Sequence, residues 1–193
     1  MLVLILGIVV FLGIHSVRIV APQWRLDKIA AWGENKWKGF YSVISFLGLI
    51  LIIWGYVLAR PYSLFIYEPP VWLKHITLLL MLFSFISLMI SNFKPGKLKP
   101  ILKHPTLIAV KIWALAHLMA NGDLASLVLF LSFLAWAVVD RISIKRQERA
   151  GLMRTVIVPG PVSNDIMAIV AGVVLYALFV WKLHAWLIGV SPV

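Results

Sequence analysis

KHPTLIAVKIWALAHLMANGD, residues 103–123, is the stretch on which the reading of this chain turns. It opens on His104-Pro105 and continues as an almost wholly apolar run. Within that run sit Lys111, Trp113 and His117, and the run closes on Asn121-Gly122-Asp123. Proline is at home in the first turn of a helix, where its missing N–H costs nothing. The stretch therefore predicts a helix over about 105–120. Elsewhere the apolar residues only say that the chain is greasy. Here a lysine, a histidine and a polar turn sit inside the grease.

The rest of the sequence supports a membrane setting. Of 193 residues, 62% are hydrophobic, and the mean hydropathy is +0.99. A soluble domain of this size cannot hide that much apolar surface, so lipid bilayer is the expected solvent. Six apolar runs predict an all-α, polytopic membrane bundle of about six transmembrane helices, over 2–17, 40–58, 71–90, 105–120, 124–139 and 165–187. These form one transmembrane domain, 1–193, with Ser163 or Asn164 as the N-cap of the last helix. The first run has neither a basic start nor a small-residue cleavage site, so it reads as a retained helix.

The formal charge of +11 is assigned to loops and not to nucleic acid. Fourteen Lys and Arg fall on one side of the six-span arrangement, among them Arg18, Arg25, Lys99, Lys103, Arg141 and Arg154, against three on the other, Arg60, Lys74 and Lys182. The positive-inside rule then puts both termini outside and the basic connections in the cytoplasm of a bacterial inner membrane. There is no cysteine, which excludes disulfides, thiolate metal sites and cysteine nucleophiles. Nucleophile elbows, phosphate-binding glycine loops and paired catalytic carboxylates are also missing from the sequence.

Lys111 has two readings. Its stem can reach a turn back towards the basic face, or it can meet an anionic group such as a cofactor carboxylate or a lipid head. Of five histidines, His75, His104 and His184 lie near helix ends and read as interfacial. His15 and His117 lie inside apolar runs. A buried neutral imidazole needs a partner for each nitrogen, and a metal can take the accepting one. Residues three and four apart share a helix face. His15 shares its face with Phe11, Leu12 and Arg18; His117 shares its face with Trp113, Ala114 and Asn121. Large apolar residues with one basic group suit a flat macrocycle with acidic edges, such as haem. No carboxylate is expected deep in a helix, with Asp123 and Asp140 at the two ends of the fifth span.

Three blocks then carry a resemblance. They are Gly13-Ile14-His15-Ser16-Val17-Arg18, Trp37-Lys38-Gly39-Phe40-Tyr41-Ser42, and Lys103-His104-Pro105 through Trp113-Ala114-Leu115-Ala116-His117-Leu118, completed by Asn121-Gly122-Asp123. Together they resemble the NnrU family of bacterial integral membrane proteins over essentially the full length. The family's name comes from an association with nitrite and nitric oxide reduction in denitrifiers. It is similar in turn to 15-cis-zeta-carotene isomerase, a membrane enzyme carrying haem b. That likeness implies haem b held by His15 and His117, with Arg18 or Lys111 near the propionates and Trp113 and Asn121 close by. It implies a redox protein or a haem-dependent isomerase acting on an apolar, isoprenoid-type molecule, or a partner of respiratory membrane proteins. A cysteine of the isomerase falls at Ala114, so a thiolate-to-imidazole exchange is not available to this chain. A shorter likeness, to membrane isoprenylcysteine methyltransferases, implies an alternative S-adenosylmethionine site at the cytoplasmic face, formed by His104, Arg141, Glu148 and Arg149. A non-enzymatic assembly factor for respiratory enzymes is the third reading.

Depth sets a condition on the haem pair. At 1.5 Å per residue His15 lies about 7 Å to the cytoplasmic side of its helix centre, and His117 about 6 Å to the outer side of its own. Trans ligation needs nitrogens about 4 Å apart. The pair can meet only if Asn121-Gly122-Asp123 turns inside the bundle. Otherwise His117 would meet His75 or His184.

Overall fold

The computed structural model describes residues 1–152 and 156–192; Arg154, counted above with the basic side, lies outside them. Among the described residues nine α-helices run in the order α1 (Leu2–Val20), α2 (Pro22–Trp32), α3 (Glu34–Ala59), α4 (Trp72–Asn92), α5 (Leu98–Leu102), α6 (Pro105–Ala120), α7 (Leu124–Arg149), α8 (Val162–Leu178) and α9 (His184–Ile188). A π-helical turn, Phe179–Leu183, joins α8 to α9. Among the described residues five helical stretches, the last running from α8 through the π-helical turn to the end of α9, are long and apolar enough to cross a membrane, and the shorter apolar helix α6 accompanies them. The chain is a multi-pass, all-α membrane protein.

Helix ends differ from the predicted ones where apolarity and helix propensity part company. Helix α3 begins at Glu34 and not at 40, because Glu34 to Gly39 contains no residue that stops a helix. Helix α7 continues ten residues beyond 139 to Arg149; Ile142 to Glu148 are ordinary helix formers, and Gly151 comes only later. Asp140 is therefore not at a helix end but inside α7, 1% exposed. Helix α8 starts at Val162 behind Pro161, with no side-chain cap. Ser163 and Asn164 lie in its first turn. Asp165 instead accepts from the backbone N–H of Lys97, at 2.7 Å, and of Leu98, at 3.2 Å. This ties the basic loop before α6 to the start of α8.

The helices pack as a ring. Helix α1 lies against α3 and α7, α6 against α7 and α4, α4 against α8, and α9 returns to α3. Lipid tails are as apolar as Leu, so close packing and interhelical hydrogen bonds must hold the helices together. Glycine supplies the first. A Cβ at Gly48 would meet the Phe11 backbone nitrogen at 2.8 Å, and one at Gly7 would meet that of Ile52 at 2.6 Å. Hydroxyls supply the second between α4 and α6: Thr77 donates to the Ala116 carbonyl at 2.9 Å, Ser84 to that of Ala109 at 2.9 Å, and Ser87 to that of Pro105 at 2.8 Å. The main apolar cluster, including Leu4, Ile52, Tyr56, Phe130 and Phe133, fills the space between α1, α3, α6 and α7. Helix α2 carries Trp24, Lys28 and Trp32, with the Lys28 ammonium 5.7 and 5.3 Å from the two ring centroids. Such a mixed aromatic and basic face suits the membrane–water interface.

The Asn121-Gly122-Asp123 turn lies inside the protein. Gly122 and Asp123 are buried under the extended segment Ser63 to Tyr67. The N–H groups of Ile66 and Tyr67 donate to the Gly122 carbonyl at 2.8 and 3.3 Å, and the Leu124 N–H donates to Leu64 at 2.9 Å. Asp123 caps α7 by accepting from the Ser126 N–H at 3.0 Å. Its other oxygen accepts from the Ser126 hydroxyl, which also meets the Tyr56 hydroxyl at 2.8 Å. With 16 residues, α6 is only about 24 Å long, short of a bilayer core of about 30 Å.

Candidate functional site

On the side of the basic connections the ring opens into a cavity of about 740 Å³. Helices α1, α3, α6 and α7 wall it, together with α2 and the loop before α6. Arg18, Arg25, Lys38, Lys99 and Lys103 line it against two carboxylates, Glu34 and Asp140. The Asp140 carboxylate receives both the Nε–H of Arg18, at 2.9 Å, and its Nη2–H. Carboxylate and guanidinium therefore meet fork to fork, the geometry that makes such pairs specific. Lys38 pairs with Glu34 at 2.8 Å. Lys99 donates to the carbonyls of Ser91 and Phe93 at the end of α4.

His15 forms part of the apolar wall. Its Nδ1–H donates to the Phe11 carbonyl at 2.7 Å, which leaves Nε2 as the accepting nitrogen. The ring stacks on Phe11 at 4.2 Å, faces Tyr41 at 5.1 Å and meets Trp136 edge-on at 5.8 Å. One buried nitrogen in this wall, Trp136 Nε1, has no hydrogen-bond partner among the described residues. Buried polar atoms are almost always paired, so this indole N–H on the cavity suits a polar group of a ligand.

His104 holds the N-cap position of α6. Lys103 before it has φ 59° and ψ −52°, and the His104 N–H reaches back to the Leu102 carbonyl at 2.6 Å. That is a three-residue turn of the rare, strained hand. Strain of this kind gathers at binding sites, and here it sets Lys103 and His104 on the rim. His104 lies 3.7 Å from Glu148, and Arg141 lies 3.8 Å from the other Glu148 oxygen. Burial and then the Arg141 charge hold the His104 imidazole below its ordinary value, with Glu148 pulling the other way.

The residues singled out from sequence divide between two places. His15 and Arg18 are on the cavity. Lys111 is one helical turn beyond Leu107, which lines it. His104, Arg141 and Glu148 come together as a cluster, while Arg149 is exposed near the end of α7. His117 is elsewhere. Its Nδ1–H donates to the Trp113 carbonyl at 2.8 Å, and its ring stacks on Phe130 at 4.6 Å. Asn121 serves the turn, donating to the His117 carbonyl at 3.0 Å and accepting from Tyr67 at 3.0 Å.

Helix α7 is the ruler between the two histidines. His15 touches it at Trp136 and His117 at Phe130, six residues and about 9 Å apart. Phe133 fills the interval, 5.5 Å from Phe11 and 5.3 Å from Trp113. The buried turn thus meets the condition set from sequence, yet the structure does not bring His15 and His117 together, because an aromatic plug holds them at different depths. A single macrocycle shared by both does not fit this arrangement. A group ligated from His15 inside the cavity does.

A family model described as NnrU protein matches residues 3–192. The chain belongs to the NnrU family. No curated protein and no solved structure matches it. In this NnrU protein the cavity wall also takes in Trp136, which had no sequence signal of its own, and Arg25, Tyr41, Lys99 and Asp140, which the sequence marked only as loop charges, part of a resemblance block and a helix end. Asp140 is the instructive one. An acidic residue in the unbroken helix-forming run from Leu124 to Arg149 could have been read as a buried ion-pair partner.

Proposed function

We propose that this NnrU protein binds haem b in the basic-side cavity, with His15 as an iron ligand through Nε2, and serves a redox, isomerase-like or denitrification-associated role at the bacterial inner membrane. The observation that carries the reading is the His15 imidazole on the cavity wall, its Nδ1–H fixed by the Phe11 carbonyl. Metal-bound histidines nearly always donate their second nitrogen in this way. Several features support the same reading. The wall is aromatic where a macrocycle would lie. The cations exceed the carboxylates, as two propionates require. The unpaired Trp136 N–H is a donor for such an acid.

In this reading Arg25 and Lys103 hold the acidic edge. Arg18 does so only with the charge left to it by Asp140. Ile14, Leu107 and Ile144 exclude water from the apolar face. Bound haem would supply one-electron exchange at a depth set by α1. Haem supplementation of the purified protein, followed by its visible spectrum, tests the proposal. A Soret band lost in His15→Ala is expected. No band in the wild type, or an unchanged band in the variant, would overturn it.

A second reading rests on the cluster of His104, Arg141 and Glu148. It makes the same cavity mouth a site for S-adenosylmethionine, with Glu148 facing the cationic part of that molecule. Titrating the compound against purified protein tests it, and no binding at millimolar concentration would overturn it.

A further inference from the structure

A smaller groove lies outside the cavity, between the end of α1 and α7. Its volume is about 320 Å³, and Ile19, Val139, Ile142, Ser143 and Arg146 line it. None of these residues lines the basic-side cavity, and none is acidic. On α7 they fall at i, i+3, i+4 and i+7, which is one face of a helix. The stripe turned away from them, Ala137, Asp140 and Ile144, is buried in the bundle, whereas Val139 and Ile142 are half exposed. The groove therefore faces lipid.

Its depth follows from a contact between helices. From Lys38 to Arg60 helix α3 carries no charged residue. That interval is about 33 Å long, so it holds a hydrocarbon core of about 30 Å. The Tyr56 and Ser126 hydroxyls meet at 2.8 Å and put those residues of α3 and α7 at one level. Ile144 is as far along α7 from Ser126 as Lys38 is along α3 from Tyr56, so Ile144 marks the edge of the core on the basic side. Val139 then lies about 7 Å inside that edge, Ile142 about 3 Å inside, and Arg146 about 3 Å beyond it. The groove thus has an apolar floor at the depth of acyl chains and a guanidinium at the depth of headgroup phosphates.

Its polar end is ready for an acceptor. Arg146 forms no ion pair among the described residues. The Ser143 hydroxyl accepts from Gln147 Nε2 at 3.1 Å, which leaves its own proton to donate. Arg149 follows one turn further along α7. Two cations with no lining carboxylate favour a lipid of net negative charge, since the ammonium of a zwitterionic lipid would be set against them.

We propose that this groove binds one anionic phospholipid of the basic-side leaflet, its phosphate on Arg146 and the Ser143 hydroxyl and an acyl chain along Ile142, Val139 and Ile19. The site does not rest on the haem reading. Native mass spectrometry of the delipidated protein in detergent, titrated with phosphatidylglycerol or phosphatidylethanolamine, tests it. The first phosphatidylglycerol should bind about fivefold or more tightly than phosphatidylethanolamine, and Arg146→Gln should remove that preference. Ile142→Trp, at a half-exposed position, fills the groove and should weaken phosphatidylglycerol binding while every charge stays in place. Size-exclusion chromatography confirms that each variant is folded. Equal binding of the two lipids, or unchanged binding in folded Arg146→Gln and Ile142→Trp, would overturn the site. So would phosphatidylglycerol binding that is lost in Arg25→Gln and kept in Arg146→Gln, which would put the lipid in the cavity.

Discussion

His15 and His117 make the same local bond in different surroundings. Each donates Nδ1–H to the carbonyl four residues earlier, Phe11 or Trp113. Each lies against α7, about 9 Å apart along it. His15 opens onto a cavity rimmed by cations, with a buried ion pair beside it. His117 sits against Trp113, Phe130 and His184. The comparison teaches that an intramembrane histidine is defined by what its second nitrogen meets. At His15 that is a space large enough for a molecule. At His117 it is a packed aromatic surround that includes the His184 ring.

The largest way to break the contrast is to unpair its charges. Arg18→Met would leave the Asp140 carboxylate, 1% exposed, without its partner. Loss of one member of a buried pair costs about 3 to 5 kcal/mol. Asp140→Asn leaves an Arg18 side chain that is 49% exposed and can turn to water, so its cost should be clearly smaller. Thermal unfolding of both variants in the same detergent measures the asymmetry; equal losses would contradict a buried carboxylate beside His15.

Next in size is the aromatic plug. Phe133 touches both Phe11 and Trp113. Phe133→Ala should cost about 3 kcal/mol or more through the cavity it leaves, read as lowered thermal stability. Between α1 and α3, Gly48→Val should cost about 1 to 3 kcal/mol, because the new side chain meets the Phe11 backbone.

The smallest effect is a pH dependence on the basic side. His104 is held below its ordinary value, so folding favours its neutral form. That contribution is fully present above the unfolded value of about 6.5 and is lost as pH falls through the lower folded value. Stability should therefore decline on acidification below about pH 6.5, and part of that decline should vanish in His104→Gln. An identical acid profile in the variant would show that His104 does not contribute.

How much of this was legible from residues alone follows from what hydropathy measures. Apolar runs mark where lipid is, and they located every long helix. They do not mark where a helix ends. Arg141 to Arg149 and Glu34 to Gly39 are polar yet helical, so Asp140 was placed at a helix end. His15 and Arg18 were legible because three residues along a helix fix a shared face. Asp140 was not legible as the partner of Arg18, since 122 residues separate them. The turn at Asn121 to Asp123 was legible as a question, and the Ser63 to Tyr67 segment that covers it was not. His184 was named as a partner for His117 only if that turn reached the surface. The structure has the buried turn and the His184 neighbour together, because depth along α7 and not the position of the turn decides which rings meet.

The central claim is that the basic-side cavity around His15 is the ligand site. Visible spectra of haem-supplemented wild type, His15→Ala and His117→Ala, recorded side by side, test it most directly. The account predicts a Soret band in the wild type and in His117→Ala, and none in His15→Ala. A band that depends on His117 and survives the loss of His15 would contradict it.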